Sequence, residues 1–398
     1  MARARPARIR YRISGGGPGP GNLPARGGDC RTADVVEQWE WWAMEAERRA
    51  VGRGRRRGLA AVVGTLTLAG AVVLPGEGAF AEDGRGPAAT PWSAEVADGF
   101  ASVSALGQNG TYGGRDGRTV TVRTLADLEK YATASEPYVI VVAAAITMDP
   151  KGKEIKVASD KTIVGSGTSG QIIGGGFFLG QGVHNVIIRN LTIRDSYEGT
   201  WNDKEHDWDA IQMDGAHHVW IDHNELRHMA DGLIDSRKDT TYLTVSWNRL
   251  QRNNKSFGIG WTENTTADIT IHHNWFRESE QRNPSADNIA HAHLYNNYLQ
   301  DDPGTDINSS YGNYARGNTK MVLENSYFQG FENPVIKDAT AALVQRGNLF
   351  VNTTGRNESG GTAFDPKAYY SYSLDPADRV PSIVTSGSGP TRAIGTTG

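Results

Sequence analysis

The stretch His218-Val-Trp-Ile-Asp-His-Asn-Glu-Leu226 decides the architecture of this chain, because it returns. Tyr242-Leu-Thr-Val-Ser-Trp-Asn-Arg-Leu250, Asp268-Ile-Thr-Ile-His-His-Asn-Trp-Phe276 and His291-Ala-His-Leu-Tyr-Asn-Asn-Tyr-Leu299 are further copies. Asn185-Val-Ile-Ile-Arg-Asn-Leu-Thr-Ile193 precedes them, and Lys320–Phe328 and Ala342–Phe350 follow. Each copy is a short alternating strand, a polar turn that usually contains Asn, then an apolar residue. Asn224, Asn248, Asn274 and Asn297 are spaced by 24, 26 and 23 residues. That period is too short for a propeller blade and fits one coil of a solenoid. Hairpin signals are absent between copies, so successive strands should stack in parallel. The regular Leu spacing of a leucine-rich repeat is missing. The pattern therefore predicts an all-β chain, a right-handed single-stranded parallel β-helix. Ile, Val and Leu should fill its interior, and loops between strands should form a substrate groove on one face. Asn is expected at the turn because it tolerates left-handed backbone and its amide bonds nearby backbone.

Upstream of the repeat, Thr119–Val122 and Tyr138–Val142 read as strands. Between them, Leu125–Ala134 has helical spacing with Thr124 as its cap. Residues 82–100 read as a short lead-in, and Gly107–Gly117 as turns. The repeat fades after about Val351. Residues 363–398, rich in Pro, Gly and Ser, are expected to cross the body as loops.

The beginning of the chain differs in kind. Residues 1–43 are rich in Arg, Gly and Pro without periodicity, and are expected to be a disordered or spurious extension, with Met44 as an alternative start. Residues 44–81 carry a basic run from Arg48 to Arg57, an apolar stretch from Leu59 to Leu74, then Ala79-Phe80-Ala81. Those are the parts of a secretory signal peptide. The apolar stretch is short for a membrane anchor, which needs ~20 residues. Residues 82–398 would then form one catalytic domain, secreted and outside the membrane.

The whole chain has 398 residues, with 41 basic and 45 acidic side chains. The first 81 residues hold 13 Arg and 7 acidic residues, so the remainder has 28 basic and 38 acidic, a net of −10. Such an acidic body is a poor nucleic-acid binder. A polyanionic substrate would need local cations to approach it. The single cysteine, Cys30, excludes an intrachain disulfide.

Four carboxylates stand out between His206 and Asp235. Asp207 and Asp209 fall at i, i+2, and Asp231 and Asp235 at i, i+4. On a strand these spacings share a face. Clustered like charges need a cation, and an all-oxygen set suits calcium better than a transition metal.

Several motifs lie in register with a known family. Val219-Trp-Ile-Asp-His223, the upstream carboxylates, Arg282-Asn-Pro284, Gly110-Thr-Tyr-Gly-Gly114, Asn185-Val-Ile-Ile-Arg-Asn190 and Tyr295-Asn-Asn297 together resemble the pectate lyases, polysaccharide lyase family 1. The resemblance covers roughly residues 99–385 and itself implies a parallel β-helix. It implies calcium on Asp207, Asp209, Asp231 and Asp235, although Glu is common in the family where Asp231 stands. It implies Lys255 as the substrate-binding lysine and Arg282 as the catalytic base. An arginine is ordinarily protonated, with a pKa above ~12. Lys255 and bound calcium are expected to lower it. One departure is Asp287, where the family commonly has a second Arg; Arg277 and Lys337 are the candidates to replace it. Asp222 and His223 read as structural. His217-His218 and His272-His273 read as solenoid residues, with one His inward or in a turn, rather than as zinc ligands.

The activity implied is calcium-dependent β-elimination on α-1,4-polygalacturonate, giving 4,5-unsaturated products, by a secreted monomer with no nucleic-acid or membrane partner. A pectin lyase acting on methyl-esterified chains is one alternative, disfavoured by the four Asp residues. A polygalacturonase-type hydrolase is another. It needs paired Asp residues and typically a Gly-His-Gly segment, where this chain has Gly258-Ile-Gly260. A non-catalytic binding solenoid would not need Arg282 beside Asp and Lys.

Overall fold

The computed structural model describes residues 95–201, 205–302 and 304–396. The expectations for residues 1–43 and for a signal peptide over 44–81 lie outside the described residues.

Alternating apolar residues dictate stacked strands, and the chain forms a parallel β-helix. A ten-stranded sheet runs from Arg118–Val122 to Ala342–Arg346, each strand parallel to the next. Its register aligns like with like. Val186, Val219, Leu243, Ile269 and Ala292 form one fully buried column. Ile188, Ile221, Val245, Ile271 and Leu294 form the next. These columns account for why the strands need no hairpins: each buries its apolar row on the coil before it.

The second sheet has sixteen strands and bends into two walls. One wall runs from Ala145–Thr147 to Leu349–Val351, and the other from Lys153–Lys156 to Val335–Lys337. The strand Arg249–Gly260 belongs to both. A coil thus passes from the ten-stranded sheet through a tight turn into the first wall, then through a longer loop into the second.

The tight turn carries the Asn series, and its physics differs from expectation in one respect. Left-handed backbone falls on the residue before each Asn, on His223, Trp247, His273 and Asn296, with φ of 50–54°. The Asn side chains instead form a buried ladder. Asn248 Oδ1 accepts from the backbone N of Asn224 at 2.9 Å and from its Nδ2 at 3.0 Å. Asn274 does the same for Asn248, and Asn297 for Asn274. An amide carries both donor and acceptor, so each rung satisfies the coil before and the coil after.

The helix Leu125–Ala132 forms as predicted, with Thr124 Oγ1 accepting from Asp127 N at 3.2 Å, and Leu128 and Ala132 join the core. The C-terminal segment departs from the loop expectation. Val380–Gly387 is an α-helix whose Val380 and Val384 pack on Tyr298. Its proline lies in the first turn, where the missing N–H costs nothing. In the pair His272-His273, His273 takes the expected turn position, with φ 53°. His272 stacks on Tyr295 at 4.7 Å and bonds Asp98, and His293 bonds the Tyr370 hydroxyl at 2.6 Å. They sit on the outer face of the ten-stranded sheet beneath terminal segments rather than inside.

Candidate active site

The second wall positions the site, through strands Ile211–Asp214, Gly232–Arg237 and the end of Arg249–Gly260. Only Asp235 lies within a strand, opposite Gln212 and Gly258. Asp207 and Asp209 are in the loop before Ile211, and Asp231 immediately precedes Gly232. The shared-face reading of i, i+2 and i, i+4 therefore does not hold. Coil stacking, not strand pleat, is what gathers these side chains.

The gathering is close. Carboxylate oxygens of Asp207, Asp209 and Asp231 lie within 4.8 Å of one another, the only such group among the described residues. Asp209 is wholly buried and its Oδ1 accepts from Gly232 N at 2.6 Å. A Cβ at Gly232 would stand 2.8 Å from Asp209 Oδ1 and 2.9 Å from Asp235 Oδ1. Glycine there lets two carboxylates close over the backbone. Glu154 reaches in from the start of the wall, accepting from Asp209 N at 3.1 Å.

Electrostatics show a surplus of negative charge. Burial, then Asp235, Asp231 and Asp207, push Asp209 well above the usual carboxylate range. Burial lifts Asp235 to about 7, against the pull of Arg282. Burial likewise lifts Glu154 to about 8, and burial with Asp231 raises Asp207. Asp231 goes the other way: burial opposes its charge, but Lys255 and Arg282 outweigh it. Lys255 Nζ is bonded to Asp231 Oδ1. Arg237, itself buried, stands 3.6 Å from Asp207 and 2.8 Å from Asp214.

Arg282 arrives from the next coil. Its backbone is left-handed, φ 61°, and its carbonyl accepts from Phe257 N at 2.7 Å. Non-Gly residues in this region are held there by their surroundings, commonly at functional sites. The guanidinium lies over the Trp261 ring at 5.0 Å and brings Nη1 to 3.6 Å from Asp235 Oδ1. Neither atom has a hydrogen-bond partner. Burial disfavours the charged guanidinium, but Asp235 and Asp231 prevail and hold its pKa above the ordinary arginine value. The protein's own groups therefore raise the Arg282 pKa, whereas the expected lowering depends on a bound cation beside Lys255.

The donor set fits a hard divalent cation. All its ligating atoms are carboxylate oxygens. Asp235 Oδ1 is buried and unbonded beside them. The raised pKa values mark charge that protein groups leave uncompensated.

A family model described as pectate lyase matches residues 87–392. The chain belongs to the pectate lyase family. A pectate trisaccharide-lyase of Thermotoga sp. (strain RQ2) is 36% identical over 325 residues, covering 73% of this chain and 88% of that protein. A pectate trisaccharide-lyase of Bacillus licheniformis is 35% identical over 311 residues, covering 73% and 85%. The crystal structure of a pectate lyase from Bacillus sp. N165 in complex with trigalacturonate superposes with a TM-score of 0.60 at 29% identity, covering 74% and 98%. As a pectate lyase family member the protein is a polysaccharide lyase.

Asp287 faces Arg316 across adjacent strands. Arg277 lies on the first wall, ion-paired to Glu278 at 2.8 Å. Lys337 Nζ donates to Asp338 O at 2.8 Å. Asp222 belongs to the ten-stranded sheet, where Arg189, His223 and Ser246 bond it at 2.6–2.7 Å. Sequence reading missed Glu154, Arg237, Trp261 and Gly258. Only Gly258, in Gly258-Ile-Gly260, lay in a segment already singled out. Arg237 lies two residues after Asp235 on the strand Gly232–Arg237, while Glu154 reaches the cluster through coil stacking, which no local pattern announces.

Proposed function

We propose that the protein is a secreted, calcium-dependent pectate lyase that cleaves α-1,4-polygalacturonate by β-elimination. The observation that carries this reading is the juxtaposition of the three clustered carboxylates with Lys255 on Asp231 and Arg282 3.6 Å from Asp235. Asp207, Asp209, Asp231 and Asp235 would hold calcium. When bound, calcium supplies fixed positive charge beside the substrate's C6 carboxylate, which acidifies the C5 hydrogen.

The chain's own groups do the rest. Lys255, a flexible point charge, grips a uronate carboxylate. Arg282 takes the C5 proton as general base. Neutralising Asp231, Asp235 and Asp209 would remove the carboxylates that raise the Arg282 pKa, leaving burial, which favours neutral guanidine, against Tyr311. The electron pair of the C5–H bond forms the C4–C5 double bond, and the C4–O bond breaks. The leaving oxygen takes up a proton, and a 4,5-unsaturated sugar remains. Trp261 and Gly258 keep the guanidinium in place.

The named activity of the relatives supports the substrate class. Methyl-esterified pectin, lacking the charge that calls for a cation, fits the acidic cluster less well. The apolar stretch Leu59–Leu74 ahead of Ala79-Phe80-Ala81 supports export, with cleavage after Ala81 and action outside the cell. The test is ultraviolet absorbance of unsaturated product from polygalacturonate, with calcium and with chelator. Equal rates in both would overturn the calcium dependence, and reducing ends without unsaturation would make the enzyme a hydrolase.

A further inference from the structure

Beside the carboxylates lies an aromatic group that the chemistry above leaves unused. Tyr197 packs against Trp201 with ring centroids 4.0 Å apart, and against His228 at 4.8 Å. None of the three is buried; the His228 side chain is 45% exposed. Contiguous aromatic rings outside a core offer an apolar face with a polar tip.

The group is held rather than left loose. His228 Nδ1 is 3.1 Å from Asp195 Oδ1. Tyr197 N donates to His228 O at 3.3 Å, and Lys151 Nζ donates to Tyr197 O at 3.0 Å. Ser196 joins it to both acid-bearing segments. Its hydroxyl donates to the carbonyl of Trp208, between Asp207 and Asp209, at 3.3 Å. The same oxygen accepts from Ala230 N, next to Asp231, at 2.9 Å. The rings are therefore continuous with the carboxylate cluster. Cations and acids alternate around them: Lys151 pairs with Glu198 at 2.8 Å, and Arg252, whose carbonyl accepts from His228 N and whose side chain is 65% exposed, lies 3.6 Å from Glu278.

An apolar ring face with cations at its edge suits a sugar acid, which offers a C–H face for stacking and a carboxylate for the rim. We propose that Tyr197, Trp201 and His228 form a stacking subsite for a galacturonosyl unit of the same polymer chain whose reacting unit lies at the carboxylate cluster. The assignment rests on the pectate lyase reading and extends it to a specific binding surface.

The test uses the full chain with Trp201→Ala, Tyr197→Ala and the conservative Trp201→Phe. KM for polygalacturonate should rise about fivefold to tenfold in the alanine variants, with kcat within about twofold and Trp201→Phe close to wild type. Calorimetric binding of hexagalacturonate, in the Arg282→Lys background with calcium present, should weaken by the same factor. Unchanged KM and binding in natively melting alanine variants would overturn the subsite. So would a loss confined to kcat, or one that phenylalanine fails to restore. If wild type binds hexagalacturonate but releases no unsaturated product, the lyase reading fails. The subsite then stands or falls on the binding ratio alone.

Discussion

Arg282 Nη1 and Asp235 Oδ1 face each other across 3.6 Å, both buried and neither hydrogen-bonded. Opposite charges so placed would ordinarily close to bonding distance. Trp261 on one side and Gly258 beneath set where the guanidinium stops. Arg282→Lys keeps a charge but loses the planar group that rests on Trp261. Lyase activity should fall by at least about 100-fold, with little change in melting temperature. Product absorbance and circular dichroism measure the two.

Gly258→Ala tests the same relationship from below. The added Cβ would meet Trp261 at 2.5 Å, Asp235 Oδ1 at 2.8 Å and Arg282 Nη1 at 3.0 Å. The guanidinium must move, and activity should fall by about tenfold or more, since small misplacements are costly in catalysis. KM for polygalacturonate should change less than kcat.

The metal-free protein should lose stability as pH rises. Asp235, lifted to about 7, and Glu154, lifted to about 8, bind protons in the folded state that they release when unfolded. Their contribution is present in full below the unfolded carboxylate range of ~4 and disappears as pH climbs through 7 and 8. Melting in chelator should therefore occur at lower temperature at pH 8 than at pH 5. Saturating calcium should flatten this slope, because a bound cation replaces the protons. A chelated protein that is most stable at pH 8 would contradict the assignment.

The amide ladder makes a separable prediction about stability. Asn274 accepts from Asn248 N and Nδ2 and donates to the carbonyls of Val245 and His272. Asn274→Ala strands these buried partners and should cost about 2–4 kcal/mol, read as a lower urea midpoint. Lyase activity per folded molecule should stay near wild type, since this turn belongs to neither wall of the site.

The architecture was legible in sequence because it is periodic. Asn224, Asn248, Asn274 and Asn297 announce the coil, and Tyr138–Val142 is a strand over the range read from its apolar run. The site was legible only as a list of residue types. Asp207 and Asp209 read as strand residues although they precede the strand, because alternation continues from Ile211 back into the loop. Glu154 lies far upstream in sequence yet bonds Asp209, a contact that exists only once coils stack. The ionisation of Arg282 depended on a balance between Asp235, Asp231 and burial, which spacing cannot weigh. The helix Val380–Gly387 was hidden by its Pro, Ser and Gly content, although Val380 and Val384 sit one helical turn apart.

The amide ladder has a consequence for how such a molecule can change. It acts as a ruler on one edge of each coil, fixing where every strand begins. The connections between the two walls, such as those that follow Arg194 and Gln300, are not measured by it. Length can be gained or lost there without shifting a single rung, so the gripping surface can be rewritten while the scaffold keeps its count.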